Sequence, residues 1–477
     1  MRSRDWDRST DARWWVAVDL AVVIGLVVIG YLVRRDGLPV DGLFFDDAWV
    51  VAGAVHGRVG ELFMVGSAHP GFTLLLKAWG QIGGGGLRTF AYPALFVGIA
   101  GAPLLYLGLR RLRFARSICL LMAAVLVVSD VHILYSGRVK SYTFDTALVI
   151  VIIAALPALA RATWRWPLAV GWVLAAVVAG TFSGYLLLAT AVAMIVLVLH
   201  AGSDRAVRVG ALAVQGLLQL GLYLAERRTT DLDEIERSME DLYDGHLSLD
   251  RNPGQSVEEI FKHLDRIADV YPGGSGRWLS VVAVVAIGGL VASALSRRRR
   301  DEALVARYCL LLIVIAFVGG LLHRFPFGPA TRNALSLAGS TGGRHVLWMV
   351  PAIAVGLALV LRRALDALGS DLRRLFDGLL VVLALAVVIQ QYDPARPYLQ
   401  PGSASATAYI DSHVRPDDAV IVLDERVYLF AVSTDAPFRL RPTPEHMIGF
   451  TPSFEGRIVG LGPVSYTHLT LPTILRV

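Results

Sequence analysis

The stretch WWVAVDLAVVIGLVVIGYLV runs from Trp14 to Val33 and contains one charged residue, Asp19. An α-helix of about 20 apolar residues is long enough to cross the hydrocarbon core of a bilayer. Similar apolar runs recur as far as residue 391. They lie at residues 14–33, 88–109, 117–136, 142–160, 167–182, 184–200, 209–225, 278–296, 304–322, 345–361 and 375–391. The sequence therefore predicts an all-α polytopic membrane protein with about eleven transmembrane helices.

The composition agrees with a membrane protein. Of the 477 residues, 55% are hydrophobic and 18% are charged, whereas about 25% are charged in an ordinary soluble domain. The pI of about 9.4 does not indicate a nucleic-acid partner, because the basic residues are concentrated in short loops between spans. The two cysteines, Cys119 and Cys309, both fall inside apolar spans, so we expect neither a disulfide framework nor a thiolate metal site.

The basic residues also predict the orientation of the chain. Every second loop is rich in arginine, as cytoplasmic loops are. These arginines are Arg2, Arg4, Arg8, Arg13, Arg110, Arg111, Arg113, Arg116, Arg161, Arg165, Arg205, Arg208, Arg297 to Arg300, Arg362, Arg363, Arg373 and Arg374. We therefore expect a multi-pass protein of the plasma (inner) membrane, with its N-terminus in the cytoplasm and its C-terminus outside. We assign these arginines to topology and give them no chemistry.

An acidic pair, Asp46–Asp47, follows the first span, in the outer loop 34–87. Aromatic residues flank the pair, and desolvation at an apolar boundary makes a carboxylate a better base. The alternative is that the pair caps the helix that begins nearby. His69-Pro70 lies further along the same loop. It either starts a helix, with proline at the first position, or brings an imidazole beside a phosphate group.

A second group of candidates lies on the same predicted side of the membrane. Arg138, Lys140 and Tyr142 occupy a short outer loop, against the charge rule that the other loops obey. They either anchor a helix end at the interface or bind an anionic ligand such as a lipid phosphate. Arg344 in the loop 323–344, with His345 beside it, is a similar candidate.

These motifs, in this order and topology, resemble the GT-C class of integral-membrane glycosyltransferases. The protein O-mannosyltransferase and aminoarabinose-transferase relatives are the most similar, over about residues 14–200 and more loosely 323–361. Asp46–Asp47 matches an Asp-Glu pair of the first outer loop, and Leu87-Arg88 fits the continuation into the next span. Three further motifs match in part. The motif His69-Pro-Gly-Phe lacks a second proline, and Arg138-Val-Lys-Ser-Tyr142 has arginine in place of an acidic residue. The residues Arg344-His345 with Pro351 resemble an Arg-Tyr…Pro feature.

The resemblance implies a membrane hexosyl- or pentosyltransferase. Such an enzyme transfers a sugar from a polyprenyl-phosphate carrier to a hydroxyl of a glycan, lipid or protein on the extracytoplasmic face, with inversion. Asp46 would be the general base and Asp47 would support it. His69, Lys140, Tyr142, Arg138 and Arg344 would hold the donor phosphate. No cofactor is certain, and a divalent cation at the carboxylates stays open. Membrane lipid is expected as a partner and nucleic acid is not.

Two other classes of function stay open. A transporter or a flippase for lipid-linked sugars would need ionisable groups within its spans, and Asp19 and Asp130 are the main candidates. The chain shows no internal repeat of the kind that many transporters have. The second of these classes is a scaffold protein that catalyses no reaction.

The remaining regions are two outer segments and the end of the chain. In the large outer loop 226–277, Ser256-Val-Glu-Glu259 reads as a capping box before an amphipathic helix. The transmembrane domain is expected to end at residue 391. Residues 392–463 are expected to form a truncated extracytoplasmic α/β segment, with a helix at 404–414 and a buried strand at 419–423. Residues 464–477 resemble translated adapter sequence and are expected to be a non-native tail.

Overall fold

The structure is a computed structural model of the chain. It describes residues 3–39, 43, 45–57, 69–84, 86–227, 247, 252–268, 278–296, 299–322, 342–392, 420–423, 438–443, 449–454 and 458–461. The helices are α1 (Ser3–Leu32), α2 (Phe45–His56), α3 (Pro70–Gly83), α4 (Tyr92–Arg111), α5 (Arg116–Val127), α6 (Asp130–Ser136), α7 (Tyr142–Arg161), α8 (Trp166–Phe182), α9 (Gly184–Leu199), α10 (Arg205–Arg227), α11 (Pro253–Ala268), α12 (Trp278–Ala294), α13 (Arg300–Leu321), α14 (Val350–Ala367) and α15 (Ser370–Gln391). Short 3₁₀ helices cover Arg35–Gly37, Leu87–Ala91 and Gly342–Met349.

The predicted all-α polytopic architecture is confirmed, and every predicted span overlaps a helix. Within the described residues, six helices are long and apolar enough to cross a membrane, or up to seven if the pair α5–α6, bent by 58°, counts as one span. Three shorter apolar helices, α8, α9 and α12, accompany them. The number of eleven spans stays a prediction.

The centre of the bundle is built on close packing between α4 and its neighbours. Apolar residues of α4, α5, α7, α9, α13 and α14 share one large buried cluster. At Gly98 of α4, an added Cβ would collide with the side chain of Ser136 in α6. Small residues let membrane helices approach this closely. As a result, α4 holds the short helix α6 and the loop after it against the start of α7.

A second apolar cluster supports the outer segment. Buried side chains of α2 and α3, including Val50, Val51, Phe72 and Leu76, pack together with Val139 from the loop 137–141. This cluster joins the helix that carries the acidic pair to the loop that carries Arg138 and Lys140. The site described below rests on it.

The helix α11 begins earlier than predicted. It starts at Pro253, and the side-chain oxygen of Asn252 accepts the Gly254 N–H at 3.0 Å. Asn252 is therefore the cap, with proline in the first position, and the predicted capping box at Ser256 is wrong. Leu264 and Ile267 of this helix are buried in the main core.

The C-terminal segment contains four described strands. β1 (Val420–Leu423) pairs in parallel with β4 (Ile458–Leu461), and β2 (Phe438–Thr443) pairs antiparallel with β3 (Gly449–Phe454). The helix predicted at 404–414 and the tail 464–477 lie outside the described residues. The domain boundary after residue 391 stays a prediction.

Candidate active site

Three helices begin at one end of the bundle, and the predicted site residues gather there. His69 directly precedes α3, Tyr142 is the first residue of α7, and Gly184 is the first residue of α9. The free backbone N–H groups of helix N-termini favour negative charge. This end of the bundle is therefore suited to an anionic group.

Asp47 and Arg138 form an ion pair inside the protein. The Arg138 Nε donates to Asp47 Oδ2 at 2.6 Å, and the side chains are 10% and 0% exposed. The two residues are 91 positions apart in the sequence, so the pair connects α2 to the loop 137–141. A charge-assisted bond of this kind fixes the orientation of both groups. Asp47 lies in the first turn of α2, and Arg138 faces it from the loop 137–141.

Asp46 lies beside this pair, in the first turn of α2, since the helix begins at Phe45. Its side chain lies outside the described residues, as does that of Arg344 in the 3₁₀ helix Gly342–Met349. Lys140 is described, and it is buried at 6% exposure. In the helix-cap alternative, one of the two aspartates would be the residue directly before the helix. Both aspartates instead lie within the first turn of α2, so neither is its N-cap residue.

Arg34 fixes the segment that precedes the loop 137–141. Its guanidinium is 1% exposed and donates to Ser136 Oγ at 3.1 Å, to the Val127 carbonyl at 2.9 Å and to His132 Nδ1 at 2.9 Å. Arginine has no acceptor, so the proton of a neutral His132 ring lies on Nε2. These bonds join the end of α1 to the bend between α5 and α6, directly before Arg138.

His69 is fixed by the break between α8 and α9. Its Nε2 accepts the Gly184 N–H at 3.0 Å, which leaves the proton of the neutral ring on Nδ1. Glycine follows Pro70 in this motif, and a Cβ at position 71 would collide with the side chain and carbonyl of Thr181. Gly71 therefore allows α3 to pack closely on α8.

Asp145 is a buried carboxylate that the sequence reasoning missed. It lies in the first turn of α7 at 1% exposure, beside the Ser183 hydroxyl and within electrostatic reach of His69. Neither of its oxygens meets hydrogen-bond geometry with a described atom. A carboxylate near a membrane is costly to bury without a role. Its signal in the sequence was one acidic residue, three positions after Tyr142 at the start of an apolar span.

An aromatic group completes this end of the bundle. The Tyr142 ring meets the His345 ring edge-on, with 6.4 Å between centroids. The Tyr185 hydroxyl lies 2.6 Å from His345 Nδ1, and the Tyr185 ring stacks on Trp348 at 5.5 Å. The segment that contains Arg344 is thereby brought to the start of α7. Tyr185 and Trp348 were also missed, because aromatic residues inside apolar spans look like ordinary core residues.

The described residues contain no group of three or more His, Cys, Asp or Glu side chains arranged to hold a metal ion. Asp47 is paired with Arg138, and Asp145 lies beside Ser183 and within electrostatic reach of His69. The cation was expected at Asp46 and Asp47, and the Asp46 side chain lies outside the described residues, so the divalent cation stays a prediction.

Comparison with known proteins gives similarity in structure alone. No protein-family model and no curated protein sequence matches the chain. The crystal structure of ArnT from Cupriavidus metallidurans bound to undecaprenyl phosphate matches with a TM-score of 0.50 at 12% identity, over 88% of this chain and 85% of that one. The chain has the fold of ArnT. The predicted resemblance to GT-C glycosyltransferases is confirmed at the level of the fold.

Two other solved structures are similar to the chain, both at 12% identity. The apo state of the same ArnT has a TM-score of 0.49, over 89% of this chain and 84% of ArnT. The Archaeoglobus fulgidus oligosaccharyltransferase, solved as a complex with zinc and sulfate, has a TM-score of 0.48. That match covers 86% of this chain, which spans 61% of the length of the archaeal protein.

Proposed function

We propose that the chain transfers a sugar from a polyprenyl-phosphate-linked donor to an acceptor hydroxyl at the extracytoplasmic face of the membrane. The observation that carries this proposal is the buried Asp47–Arg138 pair next to Asp46. A buried ion pair contributes little to stability by itself, so we infer that this pair has a functional role. The ArnT fold, solved with undecaprenyl phosphate, supports a lipid-phosphate donor.

In the proposed reaction Asp46 acts as the general base. It takes the proton from the acceptor hydroxyl while that oxygen bonds to the anomeric carbon of the sugar. The bond between the anomeric carbon and the phosphate oxygen breaks, and the polyprenyl phosphate leaves with the electron pair. Attack opposite to the leaving group inverts the anomeric carbon. Asp47, held by Arg138, keeps the start of α2 in the orientation that Asp46 requires.

The leaving phosphate is stabilised by fixed positive charge and dipoles. Lys140, Arg138 and Arg344 supply charge, and His69 and Tyr142 supply hydrogen-bond donors. The N-termini of α3, α7 and α9 add partial positive charge at the same end of the bundle. Preorganised groups of this kind are usually the largest contribution to catalysis. A divalent cation at the carboxylates would add to this stabilisation, and no step depends on it.

The transporter alternative rests on ionisable residues within spans. Asp19 is committed to other groups, since it accepts from Arg116 Nε at 2.8 Å and from the Tyr106 hydroxyl at 2.6 Å. Asp130 is exposed at the start of α6. These environments are typical of a structural ion pair and a helix end, and they favour the transferase over a transporter.

The test is transfer of labelled sugar from a polyprenyl-phosphate donor by the full chain in membrane vesicles. Asp46→Asn keeps the size of the side chain and removes the base. We expect the rate to fall by about 100- to 10,000-fold. Asp36→Asn is the matched control, because Asp36 is exposed in the same outer segment, and it should transfer normally. Near-normal transfer by Asp46→Asn would contradict the catalytic role.

A second measurement separates binding from chemistry. Lys140→Gln removes a positive charge from the proposed phosphate site without changing the base. We expect a higher KM for the donor and a smaller change in kcat. An unchanged KM would remove Lys140 from the donor site and leave the proposal for Asp46 intact.

A further inference from the structure

A large pocket lies at the end of the bundle opposite the candidate active site. Its volume is about 850 Å³, within the range of sites that bind small molecules. It is enclosed by the last turns of α4 and α7, the start of α13 and the end of α14. A helix as long as α4 or α7 spans about 30 Å, so this pocket and the site near Tyr142 are separate.

The pocket carries an excess of positive charge. Eight arginines and three carboxylates line it, namely Arg110, Arg111, Arg113, Arg161, Arg299, Arg300, Arg362, Arg373, Asp301, Glu302 and Asp366. The carboxylates are already paired: Asp301 with Arg161 at 2.7 Å, Asp366 with Arg299 at 2.8 Å, and Glu302 with both Arg299 and Arg362.

Four arginines of the pocket have no described partner. Among the described residues, no side-chain hydrogen bond or ion pair is made by Arg111, Arg113, Arg300 or Arg373, and all four are exposed. Convergent guanidinium groups are the usual way in which proteins bind phosphate. The pocket therefore has unused binding capacity for a phosphorylated anion.

The backbone at Arg113 points to the same conclusion. This residue has a φ of 63°, in the left-handed region where glycine is favoured at the end of a helix. The turn is the usual helix end, because the Phe114 N–H bonds to the Leu109 carbonyl and the Arg113 N–H to the Arg110 carbonyl. An arginine at this position strains the backbone, and the same residue is one of those that line the pocket.

The position of the pocket favours a lipid head group over a soluble phosphate compound. The pocket lies at the ends of α4, α7, α13 and α14, and each of these helices is long and apolar enough to cross a membrane. The ends of such helices reach the level of the lipid head groups. The apolar residues behind the arginines, such as Ile118 and Val355, are buried in the core, so the arginines supply the binding surface. Basic pockets between membrane helices bind the head groups of anionic lipids in this way.

We propose that this pocket binds the phosphate of an anionic phospholipid, whose acyl chains stay in the membrane beside the helix ends. The proposal is independent of sugar transfer, because the pocket lies at the other end of the bundle. It also gives binding chemistry to arginines that the sequence assigns to topology alone.

The experiment measures lipid retention by the full-length protein in detergent micelles, using native mass spectrometry. Phosphatidylglycerol is titrated against phosphatidylcholine, which has a phosphate but no net charge. We expect the protein to retain one phosphatidylglycerol at concentrations where phosphatidylcholine is lost. Equal retention of both lipids would overturn the proposal.

The test variant is Arg111→Gln combined with Arg113→Gly. Arg113→Gly relieves the strained turn, so the variant should melt no lower than the wild type. Its affinity for phosphatidylglycerol should fall on the order of tenfold, since each basic residue contributes appreciably near a lipid head group. The matched control is Arg165→Gln with Arg205→Gln, which removes two charges from exposed residues at the same end of the bundle, outside the pocket.

Two further results would overturn the proposal. If the test variant and the control retain phosphatidylglycerol equally, the lipid binds elsewhere on the bundle. If glycerol 3-phosphate displaces the lipid at comparable concentrations, the acyl chains do not contribute to binding and the ligand is a soluble phosphate compound. Loss of lipid from the test variant alone, with no displacement by glycerol 3-phosphate, supports the proposal.

Discussion

Two buried ion pairs lie at opposite ends of the bundle, and they are built differently. Arg208 binds Asp204, four residues earlier, and donates to the carbonyls of Leu197, Ala160 and Ala162 at 3.0 to 3.1 Å. Those carbonyls belong to helix C-termini, which lack partners within their own helices. Arg208 therefore acts as a cap for two helices. The pair Asp204–Arg208 is explained by structure alone.

The pair Asp47–Arg138 is not local in this sense. It joins residues 91 positions apart and connects the first turn of α2 to the loop that follows α6. Its neighbours are Asp46 in sequence and the buried Lys140 in the loop. From this comparison we expect that a buried ion pair is structural or functional according to the other groups that its members meet. The following predictions test this difference.

The largest expected effect is on stability, at Arg208. Arg208→Met leaves Asp204 without its cation and leaves three carbonyls without a donor. We expect the free energy of unfolding to fall by about 3 to 5 kcal/mol. Thermal melting in detergent measures it. The protein that remains folded should transfer sugar at the normal specific rate, and a loss of specific rate would break the comparison.

Arg138→Gln should show the opposite pattern. It removes the cation that orients Asp47, so the start of α2 shifts relative to the loop 137–141. We expect the transfer rate per folded molecule to fall about 100-fold, because small displacements at a reacting centre have effects of this size. The measurement is the initial rate normalised to folded protein. Equal specific rates for Arg138→Gln and Arg208→Met would show that both pairs are structural.

Gly71→Ala tests how packing positions His69. The added methyl group collides with Thr181, and overpacking of this kind costs about 1 to 3 kcal/mol. We expect a lower melting temperature together with weaker donor binding, because α3 carries His69 away from Gly184. Gly171→Ala is the control, since nothing lies within 4 Å of a Cβ at that exposed position of α8. A Gly71→Ala protein that melts and binds as the wild type does would contradict the proposed close contact.

The smallest expected effect is the pH dependence of the Asp204 pair. Burial acts to raise the pKa of Asp204, but the Trp164 N–H and Arg208 outweigh it and lower the pKa below its ordinary value of 3.8. A lowered pKa stabilises the folded state above pH 3.8, and this contribution is lost as the pH falls through the folded-state pKa. The melting temperatures of wild type and Asp204→Asn should therefore differ at neutral pH and converge in acid. A gap that is the same at all pH values would argue against ionic stabilisation.

The sequence predicted the helices well and the site only in part. Spans such as 142–160 and 278–296 were found within a few residues, because apolar length is a property of the chain itself. Asp145 was missed because a single acidic residue at a helix start looks like a dipole partner. Its burial beside Ser183 and His69 depends on how α3, α7 and α9 meet.

The same distinction holds for Arg34 and for the arginines of the opposite pocket. Their charge and loop position are visible in the sequence, and those of the pocket arginines indicate orientation. Whether each one is paired depends on the carboxylates and carbonyls that packing brings near. Arg34 is enclosed by bonds to Ser136, Val127 and His132, whereas Arg111 has no partner among the described residues.

The sequence by itself determined that this chain is a polytopic helical membrane protein and which charged residues interrupt its apolar runs. Hydrophobic length decides the first, since backbone groups in a bilayer must be satisfied within helices. Only the tertiary structure decided which charges meet. The pairing of Asp47 with Arg138 and the contact of His69 with Gly184 join residues far apart in sequence. The pocket likewise brings together arginines from separate loops, and four of them have no partner among the described residues. Electrostatic and hydrogen-bond energies depend on distances of a few ångströms, and folding alone sets those distances.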